Sequence, residues 1–273
     1  MSQARAVPHA AWAEHTRPLD FLRQMEAVAE ADIRKLIHDP VELFTRMIQP
    51  VLWLGIFGEV FSRARAIPTG ELRYLDFMTP GVLAQSVLFG AIFYGISLIW
   101  ERDLGIVHKF LASPTPRSAL VLGRSVSSMA RSVCQMVLVY ILAALLGVNL
   151  RISFVAIIGV TFAVMLGSAI FSTFSLIAAC IVKSRERFMG IGQVLTMPLF
   201  FASNAIYPLS MMPRWLKAIS VVNPLTYQVD ALRGLMVNGG TTLFGFGHDF
   251  GALIATFAIL VAIATTLYPK IIT

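Results

Sequence analysis

Long uncharged runs separated by short charged stretches set the rhythm of this chain. Residues 77–100, 152–182 and 250–268 carry no charged side chain. Each run is close to or beyond the ~20 apolar residues needed to cross a bilayer core. Residues 118–147 are apolar apart from Arg124 and Arg131 in their first half, and 188–207 is uncharged with Pro198 inside it. The first run is the least regular. Its uncharged part, Met47 to Gly58, is short for a span, so a span there has to extend over about 41–61. Glu42 and Arg46 then stand at one end and Glu59 near the other, and Pro50 kinks the helix. A re-entrant segment is the other reading of that stretch. The pattern predicts an all-α integral membrane protein with six transmembrane helices at about 41–61, 77–100, 118–147, 152–182, 188–207 and 250–268. Gly167, Ser168, Ser172 and Ser175 give the fourth a small-residue face suited to helix contact.

The segments outside the runs are equally patterned. Residues 1–18 read as a loose, Ala-rich polar tail. Over 19–39, Leu19, Leu22, Met25, Ala29, Ile33, Leu36 and Ile37 share one helical face, and Arg23, Glu26, Glu30 and Arg34 fall elsewhere. That spacing predicts an amphipathic helix lying along the membrane surface, ended by Asp39-Pro40. Residues 101–117 form a polar elbow between the second and third spans. Leu104, Val107, Phe110 and Leu111 recur at helical spacing there, with charge on the other side. Ser113-Pro114-Thr115-Pro116 then stops the helix. Such a helix, held between two spans, is placed to receive a push from a soluble partner; the same periodicity also suits a helix resting in the headgroups. Lys183 to Arg187 is a compact basic loop. Residues 208–249 are neither span nor plain loop: one short amphipathic piece starts at Met212-Pro213-Arg214-Trp215, Asn223-Pro224 breaks it, and a second short helix follows over 227–237.

Composition sharpens this picture. Of 273 residues, 57% are hydrophobic and only 14% are charged, against about 25% charged in soluble domains. The net charge of +7 does not point to nucleic acid, because basic excess in a membrane protein gathers in cytoplasmic loops. With the N-terminus inside, the cytoplasmic segments hold most of the Lys and Arg, which puts the elbow and the 183–187 loop in the cytoplasm and 208–249 outside. The first forty residues are charged throughout and do not read as a signal peptide. Cys134 and Cys180 both lie in apolar runs and read as small packing residues.

Several chemistries lack their residues. There is no G-x-x-x-x-G-K-[ST] phosphate loop and no H-E-x-x-H metal motif, and the five histidines lie outside the spans. A lipid-modifying membrane enzyme needs His, Asp or Glu clustered at an interface, which the sequence does not offer. A secondary transporter needs ionisable groups near mid-membrane. Glu59 and Arg131 come closest, and both are long enough to reach an interface. What remains is a helical bundle with a polar elbow and no energy source of its own, which calls for one in another subunit. Phe89, Phe93, Phe171, Phe174, Phe200 and Phe201 suit an aromatic-lined path for an amphipathic molecule, and equally suit ordinary packing.

Two segments carry a family resemblance. Glu101-Arg102 through Pro114, followed by Gly123-Arg124, resembles the ABC-2 type transporter permease segment E-R-x-x-G-(T/I)-x-x-x-(L/F)-x-x-(S/T)-P. Pro208 to Leu216, then Asn223-Pro224 through Asp230 and Arg233, resembles that family's second signature. The two in this order and at this distance are specific. The likeness covers about residues 19–268, and Tyr74 to Gly81 with Asn223 to Tyr227 resemble most the drug-exporter permeases of the daunorubicin-resistance type.

The resemblance implies the type V exporter fold: the interface helix at 19–39, a transmembrane domain over 41–273, and short re-entrant helices before the last span. It implies a multi-pass protein of the plasma membrane with both termini cytoplasmic. This chain would be a non-enzymatic permease subunit and would bind no cofactor or metal. ATP and Mg would sit on a separate ABC ATPase subunit. A second permease chain, most simply an identical one, and membrane lipids are the other implied partners. The cargo would be a drug, a lipid or a lipid-linked molecule, with polysaccharide or glycolipid export by the same fold as the alternative. Glu101, Arg102, Asp103, Leu104, Val107 and Phe110 would form the coupling helix against the ATPase. Lys183, Arg185 and Arg187 would form a second, smaller contact. Pro213, Trp215, Asn223, Pro224, Asp230 and Arg233 would mark the external re-entrant pair.

Overall fold

The structure, a computed structural model, describes residues 40–64, 67–104, 117–182 and 184–268. The 1–18 tail, the 19–39 helix, Val107, Phe110 and Lys183 therefore lie outside the described residues. In chain order the helices are α1 (Pro40–Val51), a π-helical stretch (Leu52–Gly58), α2 (Glu59–Ala64), α3 (Tyr74–Asp103), α4 (Arg117–Leu145), α5 (Phe154–Ile181) and α6 (Arg185–Phe201). A 3-10 turn (Leu209–Met211) leads to α7 (Arg214–Val222), α8 (Pro224–Met236) and α9 (Phe246–Leu267). Among the described residues there is no strand, only an isolated antiparallel bridge between Leu150 and Val237.

Among the described residues, four helices are long and apolar enough to cross a membrane: α3, most of α4, α5 and α9. They match the runs expected at 77–100, 118–147, 152–182 and 250–268 to within a few residues. The other two expected spans come out differently. The stretch expected at 41–61 is helical but not one α-helix. Pro50 removes a backbone donor near the end of α1, and the chain continues as π turns through Leu52–Gly58 before α2. The span expected at 188–207 stops at Phe201, where Ala202 leaves the helix. At 1.5 Å per residue α6 reaches about 25 Å, short of a ~30 Å hydrocarbon core.

α5 is the centre of the bundle, packing against α3, α4, α8 and α9. Its small residues make this possible. Ser128 and Ser168 pair their hydroxyls at 2.7 Å, and Ser125 and Thr173 at 3.1 Å, joining α4 to α5. Ser175 donates to the Ile92 carbonyl of α3. A side chain on Gly167 would collide with the Gln228 amide of α8, so the glycine is what lets α8 lie against α5. The central apolar core includes Leu88, Ile92, Val164, Ile170, Phe171, Phe200, Leu225 and Leu232. Smaller clusters close the two ends. Leu98, Ile99, Leu120, Cys180, Phe188 and Tyr268 pack at the elbow end. Leu54, Tyr74, Phe77, Met78 and Val148 pack at the opposite one.

Candidate functional site: the polar elbow and the opposite end

Three helix ends meet at the elbow. α3 carries Trp100, Glu101, Arg102 and Asp103 in its last turns, so these residues continue the second span rather than opening a separate helix. Leu104 follows as the cap and is 68% exposed. Arg124 projects from the early part of α4, and Arg185 starts α6, whose first turn is capped by the Ser184 side chain accepting from the Arg187 backbone N–H. Arg124 Nη2 donates to Glu101 Oε2 at 2.5 Å, and both side chains are largely withdrawn from solvent. Arg185 donates to Asp103 Oδ2 through Nη2 at 2.9 Å and Nε at 3.2 Å, and its guanidinium lies 3.9 Å from the Trp100 ring centre. Arg102 donates to Asp103 Oδ1 at 3.2 Å and 3.3 Å.

Two expected contacts are thereby brought together: Asp103 of the elbow and Arg185 of the second loop form one ion pair. Glu101 turns into the bundle, whereas Leu104 and Arg187 are exposed. Arg124 lay in the motif but had no assigned role. A lone arginine early in an apolar helix, just after a helix ending in carboxylates, was the signal for its pairing.

At the other end the signature residues bind backbone. Asn223 caps α8, its Oδ1 accepting from the Leu225 N–H, and its Nδ2 donates to the Leu199 and Ala202 carbonyls at 2.7 Å and 3.0 Å. Pro224 occupies the first helical position, where its missing donor costs nothing. Asp230 Oδ2 accepts from the Leu243 and Phe244 N–H groups at 2.7 Å and 3.0 Å. Arg233 donates to the Asn204 carbonyl at 2.7 Å, and its guanidinium lies 3.8 Å from the Phe77 ring centre. Asp249, at the start of α9, is fully buried and lies against Asp230, a neighbour that no local pattern signals. Pro213 and Trp215 are exposed.

α8 runs antiparallel to the first half of α5. Val237 pairs with Leu150 before α5 begins, Leu235 lies against Gly159, and Gln228 reaches the Ala163 carbonyl and Gly167. The start of α8 is therefore about 20 Å along α5 from its first residue.

Glu59 pairs with Arg63 on the exposed side of α2, and Arg131 stacks over Tyr94 at 5.2 Å. Of the six phenylalanines, Phe171 and Phe200 are buried in the central core, so they serve packing. Among the described residues no three His, Cys, Asp or Glu side chains gather as a metal site would require.

The pattern that defines the ABC-2 type transporter family matches residues 23–237. The chain is 30% identical over 217 residues to the protein named transport permease ycf38 of Cyanophora paradoxa, covering 79% of this chain and 74% of that one. It is 29% identical over 226 residues to the daunorubicin resistance ABC transporter permease protein DrrB1 of Streptomyces coeruleorubidus, covering 83% and 77%. With the inner membrane transport permease YadH of Escherichia coli K12 it shares 21% over 245 residues, covering 86% and 89%.

Proposed function

The chain belongs to the ABC-2 type transporter family, and we propose that it is the permease subunit of an ATP-driven exporter whose engine is a separate ABC ATPase subunit docked at the elbow. The single observation that carries this reading is the convergence of α3, α4 and α6 on the Glu101–Arg124 and Asp103–Arg185 pairs. A force applied to the elbow is passed through them to three helices at once.

The exposed Leu104, with Val107 and Phe110 beyond it, presents an apolar contact to the ATPase, and Arg187 with Lys183 supplies the second one. Glu101 and Asp103 act as positioning residues that hold the elbow to the bundle. ATP and Mg bind the ATPase. Two copies of this chain, each with six membrane crossings, enclose the path for an amphipathic cargo of the drug or lipid type. The α7–α8 pair dips into the outer half of the membrane; the depth of α8 along α5 supports this. The elbow and both termini face the cytoplasm, and the protein resides in the plasma membrane. ATP draws the ATPase subunits together, and the elbow moves because its contacts differ between the ATP-bound and ATP-free states.

The test is co-purification of the tagged chain with its ATPase, followed by cargo-stimulated ATP hydrolysis. Leu104→Asp and Arg187→Glu, both on exposed positions, should lower ATPase recovery while leaving the permease monodisperse. Glu101→Lys combined with Phe110→Ala should abolish coupled hydrolysis. Unchanged recovery and unchanged coupling in these variants would overturn the assignment.

A further inference from the structure

A cavity of about 440 Å³ opens at the end of the bundle opposite the elbow, among α7, α8 and the start of α3. Its wall holds Phe77, Leu209 and Phe244, with the hydroxyl residues Thr69, Ser210, Thr241 and Thr242. The charged groups on it are not equivalent. Arg233 is spent on backbone carbonyls, and Asp230 accepts from two backbone N–H groups. Asp249 lies behind Asp230 and does not line the cavity. Lys217, on α7, has no carboxylate partner among the described residues and is exposed, as is Arg214 one turn earlier.

α7 itself is unusual. Met212, Ser220 and the cap Asn223 are buried and anchor it, Leu216 is half-buried, and its other residues face outward. At 100° per residue its exposed surface sorts into three bands. Lys217 and Val221 face the cavity, Arg214 comes next, and beyond it lie Val222, Trp215 and Ile219, which are 81%, 65% and 51% exposed. A cavity edged with hydroxyls, then cations, then an apolar row containing a tryptophan follows the order of polarity from a lipid's headgroup to its chains.

We propose that this cavity and the outer face of α7 form a binding site for one anionic phospholipid of the outer leaflet, with a hydroxyl-bearing headgroup of the phosphatidylglycerol class. The phosphate sits between Arg214 and Lys217. The headgroup hydroxyls enter the cavity among Ser210, Thr241 and Thr242. The acyl chains run down Trp215, Ile219 and Val222 toward Asn223. These two exposed cations, without a carboxylate partner among the described residues, supply the charge complementarity, and the apolar row requires a lipid rather than a soluble phosphate ester. The leaflet assignment rests on the exporter reading, which places the elbow in the cytoplasm.

The experiment uses the full-length chain with its ATPase subunit in nanodiscs of equal parts phosphatidylglycerol and phosphatidylcholine, with lipids retained after detergent extraction counted by mass spectrometry. The expected result is enrichment of phosphatidylglycerol by about tenfold or more, on a scale of about fivefold per surface cation. The paired variant Arg214→Gln/Lys217→Gln should lose the enrichment, and Lys217→Arg should keep it. Soluble glycerol phosphate should not compete. Equal retention of both lipids, enrichment that survives the paired variant, or full competition by glycerol phosphate would each overturn the site. So would efficient Trp215→Cys crosslinking between two copies of the chain, which would show a second protomer where the lipid is placed. ATPase recovery from the same samples separates the two readings. Recovery without lipid preference sinks only the lipid site, and lipid preference without recovery sinks the exporter.

Discussion

The two ends of the bundle are tied by different kinds of bond. At the elbow, side chain meets side chain: Glu101 with Arg124, and Asp103 with Arg102 and Arg185. At the opposite end most ties run from side chain to backbone, alongside the Arg73–Asp76 pair at 3.5 Å and the Asn238–Asn149 amide pair at 2.9 Å. Asn223 serves Leu199 and Ala202, Asp230 serves Leu243 and Phe244, Arg233 serves Asn204, Arg73 donates to the Gly147 carbonyl, and Asp76 accepts from the Asn149 N–H. Charged side chains can exchange one partner for another as a neighbouring surface moves. A buried carbonyl or N–H in an irregular stretch has no such alternative, because leaving it unpaired costs a full desolvation penalty. The elbow is therefore built to re-pair, and the opposite end to hold irregular backbone still inside a membrane protein.

The sharpest way to break this contrast is at the one elbow pair that is buried. Arg124→Ala leaves the half-buried Glu101 without its partner; removing one partner of a buried ion pair costs about 3–5 kcal/mol, and the residual exposure of Glu101 puts this case at the lower end. We expect a large drop in the thermal midpoint of the purified chain and a low yield of monodisperse protein. Restoration by the charge-free pair Glu101→Gln/Arg124→Met would show that the penalty came from the stranded charge. A wild-type midpoint for Arg124→Ala would mean that the pair is as exchangeable as its exposed neighbour.

Next in size is Gly81→Ala at the opposite end. A Cβ at Gly81 would overlap the backbone of Ala205, which a rotamer change cannot relieve. Overpacking of this kind costs about 1–3 kcal/mol, and here it should reach the upper part of that range. Gly95, nearer the elbow, instead meets the Ser175 hydroxyl and the Phe188 ring first. Gly95→Ala should therefore be partly rescued by Ser175→Ala, whereas no side-chain change rescues Gly81→Ala. Thermal melts of the three variants check the difference.

Asn223→Ala follows at about 2 kcal/mol, combining a lost cap of about 1 kcal/mol with two carbonyls deprived of their donor. Asn223→Asp keeps the capping oxygen and loses the donors to Leu199 and Ala202. A midpoint midway between wild type and Asn223→Ala would apportion the two roles, and a wild-type midpoint would show that the carbonyl ties carry no weight.

These residues also mark how far the sequence could be read. Apolar runs announce membrane helices because a lipid environment demands internally bonded backbone over a fixed length. That is why 77–100, 118–147, 152–182 and 250–268 were legible. Pro50 announced a kink, but nothing local to it specified π turns over Leu52–Gly58. The stop of α6 at Phe201 depends on Asn223, far along the chain, taking up the carbonyls of Leu199 and Ala202. Asn223-Pro224 was legible as a break, but the helix expected from Tyr227 begins three residues earlier, at Pro224, because Asn223 caps it. The partners of Asp230 and Arg233 were not legible, since they sit on other segments. At the elbow the charged residues stood out by composition. Which charge meets which depends on the convergence of three helices, and periodicity along one of them carries no information about that.

The smallest expected effect on stability is the most informative about function. The Asp103–Arg185 pair is well formed, yet its side chains remain 39% and 36% exposed. Surface pairs of this kind contribute little to folding, so Asp103→Asn and Arg185→Gln should leave the thermal midpoint unchanged. If the pair carries motion from the elbow to α6, both variants should still recruit the ATPase but uncouple it, with ATP hydrolysis continuing while transport in proteoliposomes falls. The swap Asp103→Arg/Arg185→Asp should restore transport, because the link between the helix ends is restored with its polarity reversed. Transport at wild-type level in both single variants would show that the elbow moves without this link. Glu101–Arg124, the buried pair, would then be the only ionic route from the elbow into the bundle that the described residues provide.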